Sequence, residues 1–166
     1  MNIFVLSKEE MINLLNEDNE TIFNANIISI RDKGTKQIFK PTRKDVLSLA
    51  FDDVLQGEQN NIDMLDARAI KRFANKTALE QKDLIIHCNG GVGRSAAVGA
   101  AISAALGDKV QPSSKDFWTI GHYTPNEYVY QMVLCAFAID IHPDTIIKLV
   151  EENLEAYKKK HPDRFF

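Results

Sequence analysis

The sequence predicts a single α/β domain over residues 1–166, with a central, largely parallel sheet of four or five strands flanked by helices. Three observations carry this reading. A length of 166 residues suits one domain with a sizeable core and is short for two. Short apolar runs near residues 3–6, 26–31, 46–51 and 84–87 are separated by stretches of helical period. The run Leu84-Ile85-Ile86 is unbroken, as in a central strand covered on both faces.

Taken in order, residues 3–6 read as a short buried strand. Ser7 and Glu10 form a capping box that opens a helix through Leu15, with Met11, Leu14 and Leu15 as its inner stripe. Residues 26–31 are a second strand, ending in the turn signal Asp32-Lys33-Gly34. Residues 36–44 are basic, contain Pro41 and read as a loop. A third strand over 46–51 runs straight into Asp52-Asp53. Residues 63–75 have the 3.6 period, with Leu65, Ala69, Ile70 and Phe73 on one side. The helix over 96–105 is rich in Ala and Gly, so its backbone can lie close to the sheet, and Gly107 ends it.

Residues 108–123 are weakly periodic and carry Phe117, Trp118 and His122. Thr124 then reads as a cap, with Pro125 at the first helical position and Glu127 at the third, of a buried helix running through Ile139. Cys135, among apolar neighbours, is assigned to the core. Pro143 opens a last helix whose stripe Ile147, Val150, Leu154 and Tyr157 docks it.

The stretch that carries chemistry is His87-Cys88-Asn89-Gly90-Gly91-Val92-Gly93-Arg94-Ser95, placed as strand, glycine-rich turn and helix start. Glycines let successive backbone N–H groups turn inward, and the helix N-terminus adds free amides and a positive dipole end. The loop is therefore built to hold an oxyanion. A cysteine facing such a ring has its thiol pKa lowered from about 8.5 toward roughly 3.5–7.5. Arg94 offers a fork for two phosphoryl oxygens, and Ser95 a hydroxyl that can bond the sulfur. The same glycines also fit G-x-G-x-x-G/A, but that fingerprint opens a first βαβ unit and here falls past the middle of the chain. The lysine of a Walker A loop is absent.

His-Cys-(x)5-Arg-Ser resembles the signature of the protein tyrosine phosphatase superfamily of cysteine phosphatases, over nine residues. The inner Gly91-Val92-Gly93-Arg94 is similar to its tyrosine-specific branch, and Ser95 suits that branch or the dual-specificity one. The resemblance implies a fold of the cysteine phosphatase type, catalytic Cys88, Arg94 and Ser95, substrate-binding Asn89, Gly90, Gly91, Val92, Gly93 and Arg94, and His87 in support. It also implies a general-acid aspartate on a loop some tens of residues before the nucleophile. Asp52 and Asp53 both satisfy that, and acids at a strand's carboxyl end can reach the same mouth as Cys88. Family members show an aromatic, a variable residue and then the acid, which maps onto Phe51, Asp52 and Asp53 and favours Asp53, with Asp52 in support. Pro125-Asn126 is similar to a pair in some bacterial and viral members, making Asn126 a candidate brace for the cradle beside a local capping role.

The expected activity is phosphomonoester hydrolysis through a phosphocysteine, on phosphotyrosine with or without phosphoserine and phosphothreonine in a protein or peptide. Phosphate and vanadate are expected to bind. No cofactor or metal is expected, since Arg94 and the loop supply the charge. Lipid-phosphatase relatives usually carry lysines inside the loop, and here residues 89–93 are neutral, which lowers an inositol-lipid substrate. An RNA 5′-triphosphatase is the other enzymatic alternative, and a non-catalytic phosphopeptide-binding module the alternative of another class.

With a net charge of −3, the chain lacks the basic excess of a general nucleic-acid binder. Its basic run Lys158-Lys159-Lys160 suits a solvated helix terminus. No apolar stretch approaches the 18 or so residues of a membrane span. Two cysteines give no disulfide framework, residues 1–6 are too short for a signal-peptide core, and a reactive thiolate needs a reducing compartment, so the cytoplasm is expected.

Overall fold

The computed structural model describes residues 1–17, 24–40, 43–54 and 56–164. Of the loop expected over 36–44, residues 41 and 42, Pro41 among them, lie outside the described residues. Four strands form one sheet: β1 (Ile3–Ser7), β2 (Asn26–Arg31), β3 (Val46–Ala50) and β4 (Leu84–Cys88). Their order is β1-β4-β2-β3 and all pairings are parallel. Parallel order sends every carboxyl end to one side. The register sets Ser7 beside Cys88 and Ser29 beside His87.

Among the described residues the α-helical elements are α1 (Lys8–Asn16), α2 (Met64–Leu79), α3 (Arg94–Leu106), α4 (Ser114–Thr119), α5 (Glu127–Ala136) and α6 (Pro143–Lys160). Alternation along the central strand separates two apolar layers. Leu84, Ile86 and Cys88 belong to the larger core with α2, α3 and α5, whereas Ile85 packs with Met11, Ile27 and Phe39 on the α1 side. All ten residues from Arg94 to Ser103 are buried, so the small side chains of α3 hold it deep in the protein. The Ser7–Glu10 capping box forms as the sequence requires.

Several expectations are corrected. β1 is an edge strand, with only Ile3 fully buried and Phe4 41% exposed. Leu65 points to solvent, because α2 docks through Ala67, Ile70, Ala74 and Thr77. The weakly periodic stretch contains α4, which buries Phe117 and Trp118. Asn126, rather than Thr124, caps α5, by accepting the Val129 N–H at 3.0 Å. That helix ends at Ala136 and is buried only on the face of Val129, Tyr130, Val133 and Leu134, which leaves Cys135 exposed.

α6 docks one step around from its apolar stripe. Ile146 and Asn153 are buried, while Ile147, Val150 and Leu154 are exposed. The Asn153 amide donates to the carbonyls of Trp118 at 2.8 Å and Tyr123 at 2.9 Å, so a polar side chain sits comfortably on the inner face. Among the described residues no helix is long and apolar enough to cross a membrane.

Candidate active site

The carboxyl ends of β2, β3 and β4 converge on the N-terminus of α3, and residues 89–93 bridge β4 to that helix. The bridge is braced from both sides. Lys8 N–H donates to the Asn89 carbonyl at 3.2 Å, and Thr124 N–H to that of Val92 at 3.0 Å. Gly91 has φ +70, and a Cβ there would fall 2.5 Å from the Ser7 nitrogen, so the turn requires glycine. Gly90 is exposed on the outside, and Val92 is 37% exposed.

Cys88 ends the buried β4 and is itself 1% exposed, at the floor of the bridge. Its sulfur accepts the Gly91 N–H at 3.3 Å and lies 3.1 Å from the Ser95 hydroxyl. His87, one residue earlier, faces the opposite layer, where its ring meets Phe39 with centroids 5.9 Å apart. Burial pushes its pKa down to about 4, against a weaker upward pull from the Cys88 backbone. His87 is thus a neutral packing residue under the loop rather than a group facing its mouth.

Arg94 is held from two directions. Its Nη1 donates to the Phe51 carbonyl at 2.7 Å and pairs with Asp32 Oδ1 at 2.6 Å, with the guanidinium side chain only 3% exposed. The other oxygen of Asp32 accepts from the Asn89 amide. Asp32 therefore ties the clamp to the first residue of the bridge. Sequence reasoning saw it only as a turn former. The available signal was its place just past the carboxyl end of β2, next to β4. Arg94 Nε is buried without a hydrogen-bond partner, 3.8 Å from Asp53 Oδ2.

The two aspartates after β3 have different surroundings. Asp52 accepts the Lys33 N–H at 2.8 Å and the Asn60 amide at 3.0 Å, and these bonds, the backbone one foremost, hold its carboxyl below the usual range. Asp53 turns inward over the loop, so close to Gly93 that a Cβ there would collide with its carboxylate. Asn126 Nδ2 donates to Asp53 Oδ1 at 2.8 Å and to the Val54 carbonyl at 3.1 Å. Of the two roles considered for Asn126, the cap is formed by its Oδ1, whereas its Nδ2 holds the Asp53 loop rather than the cradle, which it reaches only through its backbone N–H, donating to the Gly93 carbonyl at 3.4 Å.

The structure thus brings Cys88, Asn89, Gly91, Gly93, Arg94, Ser95, Asp53 and Asn126 together, adds Asp32, and leaves Asp52 and His87 in flanking positions. Among the described residues no three His, Cys, Asp or Glu side chains gather in a metal-binding group.

No protein-family model and no curated protein matches the chain. Among solved structures, the chain is similar to PTPMT1 in complex with PI(5)P, at 15% identity over 96% of this chain and 94% of that one, with a TM-score of 0.43. It is similar to Tk-PTP in its active form, at 15% identity over 92% and 90%, TM-score 0.44. It is also similar to human DUSP28, at 13% identity over 95% and 94%, TM-score 0.45. These solved structures are members of the protein tyrosine and dual-specificity phosphatase superfamily.

Proposed function

We propose that the chain is a phosphomonoester hydrolase acting through a phosphocysteine at Cys88, on phosphotyrosine and, with it, phosphoserine or phosphothreonine in polypeptides. The observation that carries this reading is the committed geometry of Arg94. With Nη1 engaged by Phe51 and Asp32, the buried Nε lacks a hydrogen bond, its charged neighbour Asp53 Oδ2 standing 3.8 Å away, and at the other end of the same loop the Cys88 sulfur already accepts an amide N–H. A buried unpaired donor costs about 1–3 kcal/mol, and a phosphoryl oxygen at the loop would relieve it.

In the first step the Cys88 thiolate attacks phosphorus in line, and the P–O bond to the leaving group breaks. The departing oxygen takes its electron pair and the proton of Asp53. Arg94 and the amides of residues 89–94 stabilise the equatorial oxygens. In the second step water attacks phosphorus and gives a proton to the Asp53 carboxylate. The P–S bond breaks, its electron pair returns to sulfur, and the Ser95 hydroxyl, 3.1 Å away, donates to the forming thiolate. Neutral residues at 89–93 favour a single phosphate over a polyanionic headgroup.

The test is turnover of p-nitrophenyl phosphate and a phosphotyrosine peptide, with and without chelator. Wild type is expected to be active in both conditions. Cys88→Ser is expected to lose turnover and keep vanadate binding. Absence of turnover by wild type, or full turnover by Cys88→Ser, would overturn the reading.

A further inference from the structure

Outside the loop, three adjoining depressions of about 460, 280 and 660 Å³ share Gln56 and Tyr128 and form one groove alongside α5. Its near end includes Lys33 and Asn60, the two residues that hold Asp52, and Lys33 directly follows the Asp32 that pairs with Arg94. At the same end Glu127 directly follows Asn126, which bonds Asp53, so the groove begins one residue away from two side chains of the site. Tyr128 and Met132 line the groove, and its polar groups include the side-chain amides of Gln56 and Gln131, which can pair with an extended backbone.

Charge decides what would lie there. Among the described residues that line it, Glu58, Asp63, Glu127 and Asp140 bring four carboxylates against the single ammonium of Lys33. Such a surface repels a second phosphate and attracts cations.

We infer that this groove holds the cationic flank of a phosphorylated polypeptide whose phosphorylated side chain enters the loop at Cys88. The inference rests on the phosphatase reading and adds the class of substrate sequence. Arg or Lys near the phosphorylated residue would meet Glu58, Glu127 and Asp140, while an apolar neighbour would cover Tyr128. An inositol-lipid headgroup carrying further phosphates would be repelled.

Three phosphotyrosine peptides with one core and Arg, Ala or Glu flanks test it, by fluorescence anisotropy on Cys88→Ser and by kcat/KM on wild type. The Arg-flanked peptide is expected to bind roughly three- to tenfold tighter than the Ala-flanked one, the size of one or two exposed charge pairs. That advantage should vanish near 1 M salt, where the screening length is about 3 Å. It should also vanish in the double variant Glu58→Lys/Asp140→Lys, while p-nitrophenyl phosphate turnover stays unchanged. Equal binding of the three peptides, a preference that survives the double variant, or tighter binding of a soluble inositol polyphosphate than of the Arg-flanked peptide would overturn the inference. Loss of p-nitrophenyl phosphate turnover in wild type would sink the phosphatase reading alone, because peptide binding to Cys88→Ser still decides the groove.

Discussion

Asp32 Oδ1 lies 2.6 Å from Arg94 Nη1, so a residue just past β2 fixes the guanidinium at the start of α3 across 62 positions of sequence. The pair joins two elements whose relative placement sets the geometry of the loop between them.

On the proposed mechanism Asp32 acts through Arg94, as a positioning residue. Asp32→Ala should lower kcat about 10- to 100-fold, the scale of a misplaced clamp, while weakening vanadate binding far less. A rise in kcat/KM would instead make Asp32 an anion that competes with substrate. Steady-state kinetics beside a vanadate titration read the two effects separately.

Asp53 and Asp52 should separate cleanly. Asp53→Asn is expected to cut hydrolysis of phenyl phosphate about 10²–10⁴-fold, with a smaller loss for a nitrophenyl ester whose leaving group needs no proton. Asp52→Asn should lower the melting temperature with little change in kcat, because its carboxylate bonds Lys33 and Asn60. The reverse pattern in this pair would move the proton donor one residue upstream.

Asn126 can be divided by substitution. Asn126→Ser retains a capping oxygen for α5 but loses the donor to Asp53 and Val54, so kcat for phenyl phosphate should drop with stability nearly kept. Asn126→Ala loses the cap as well, at about 1 kcal/mol, or roughly 2–4 °C in melting temperature. Equal kinetics for wild type and Asn126→Ser would separate Asn126 from the proton-transfer step.

His87 should make the fold acid-sensitive. With its pKa lowered from 6.5 to about 4, the unfolded chain binds the proton more readily between those values. Stability is therefore complete above about pH 6.5 and falls as pH drops toward 4, by on the order of 3 kcal/mol over the window. Glu10 and Asp45, whose carboxyls are held low by Ser7 and Arg43, add losses at more acid pH. Denaturant melts of wild type and His87→Gln from pH 4 to 7.5 isolate the histidine. Parallel pH slopes would show that its burial is relieved in another way.

The legible parts of the chain were those governed by local rules. The limits of β2, the capping box at Ser7 and the glycine turn before α3 follow from period, side-chain chemistry and backbone sterics within a few residues. What escaped depends on distant partners. The outward turn of Ile147, Val150 and Leu154 reflects a buried Asn153 matched to two carbonyls, which hydrophobic period cannot register. Cys135 looked internal because its neighbours are apolar, yet only one side of α5 is covered. Thr124 satisfied the cap pattern, but its N–H is bound to Val92, and Asn126 takes the capping place. Asp32 read as a turn because only the folded sheet sets it beside Arg94.

One planar amide serves both Asp53 and α5. The oxygen of Asn126 receives the Val129 N–H while its nitrogen binds Asp53 and Val54. The first turn of a helix more than seventy residues downstream thereby sets where the chain after β3 can rest, so a change that shifts the start of α5 is transmitted to Asp53 through a single side chain.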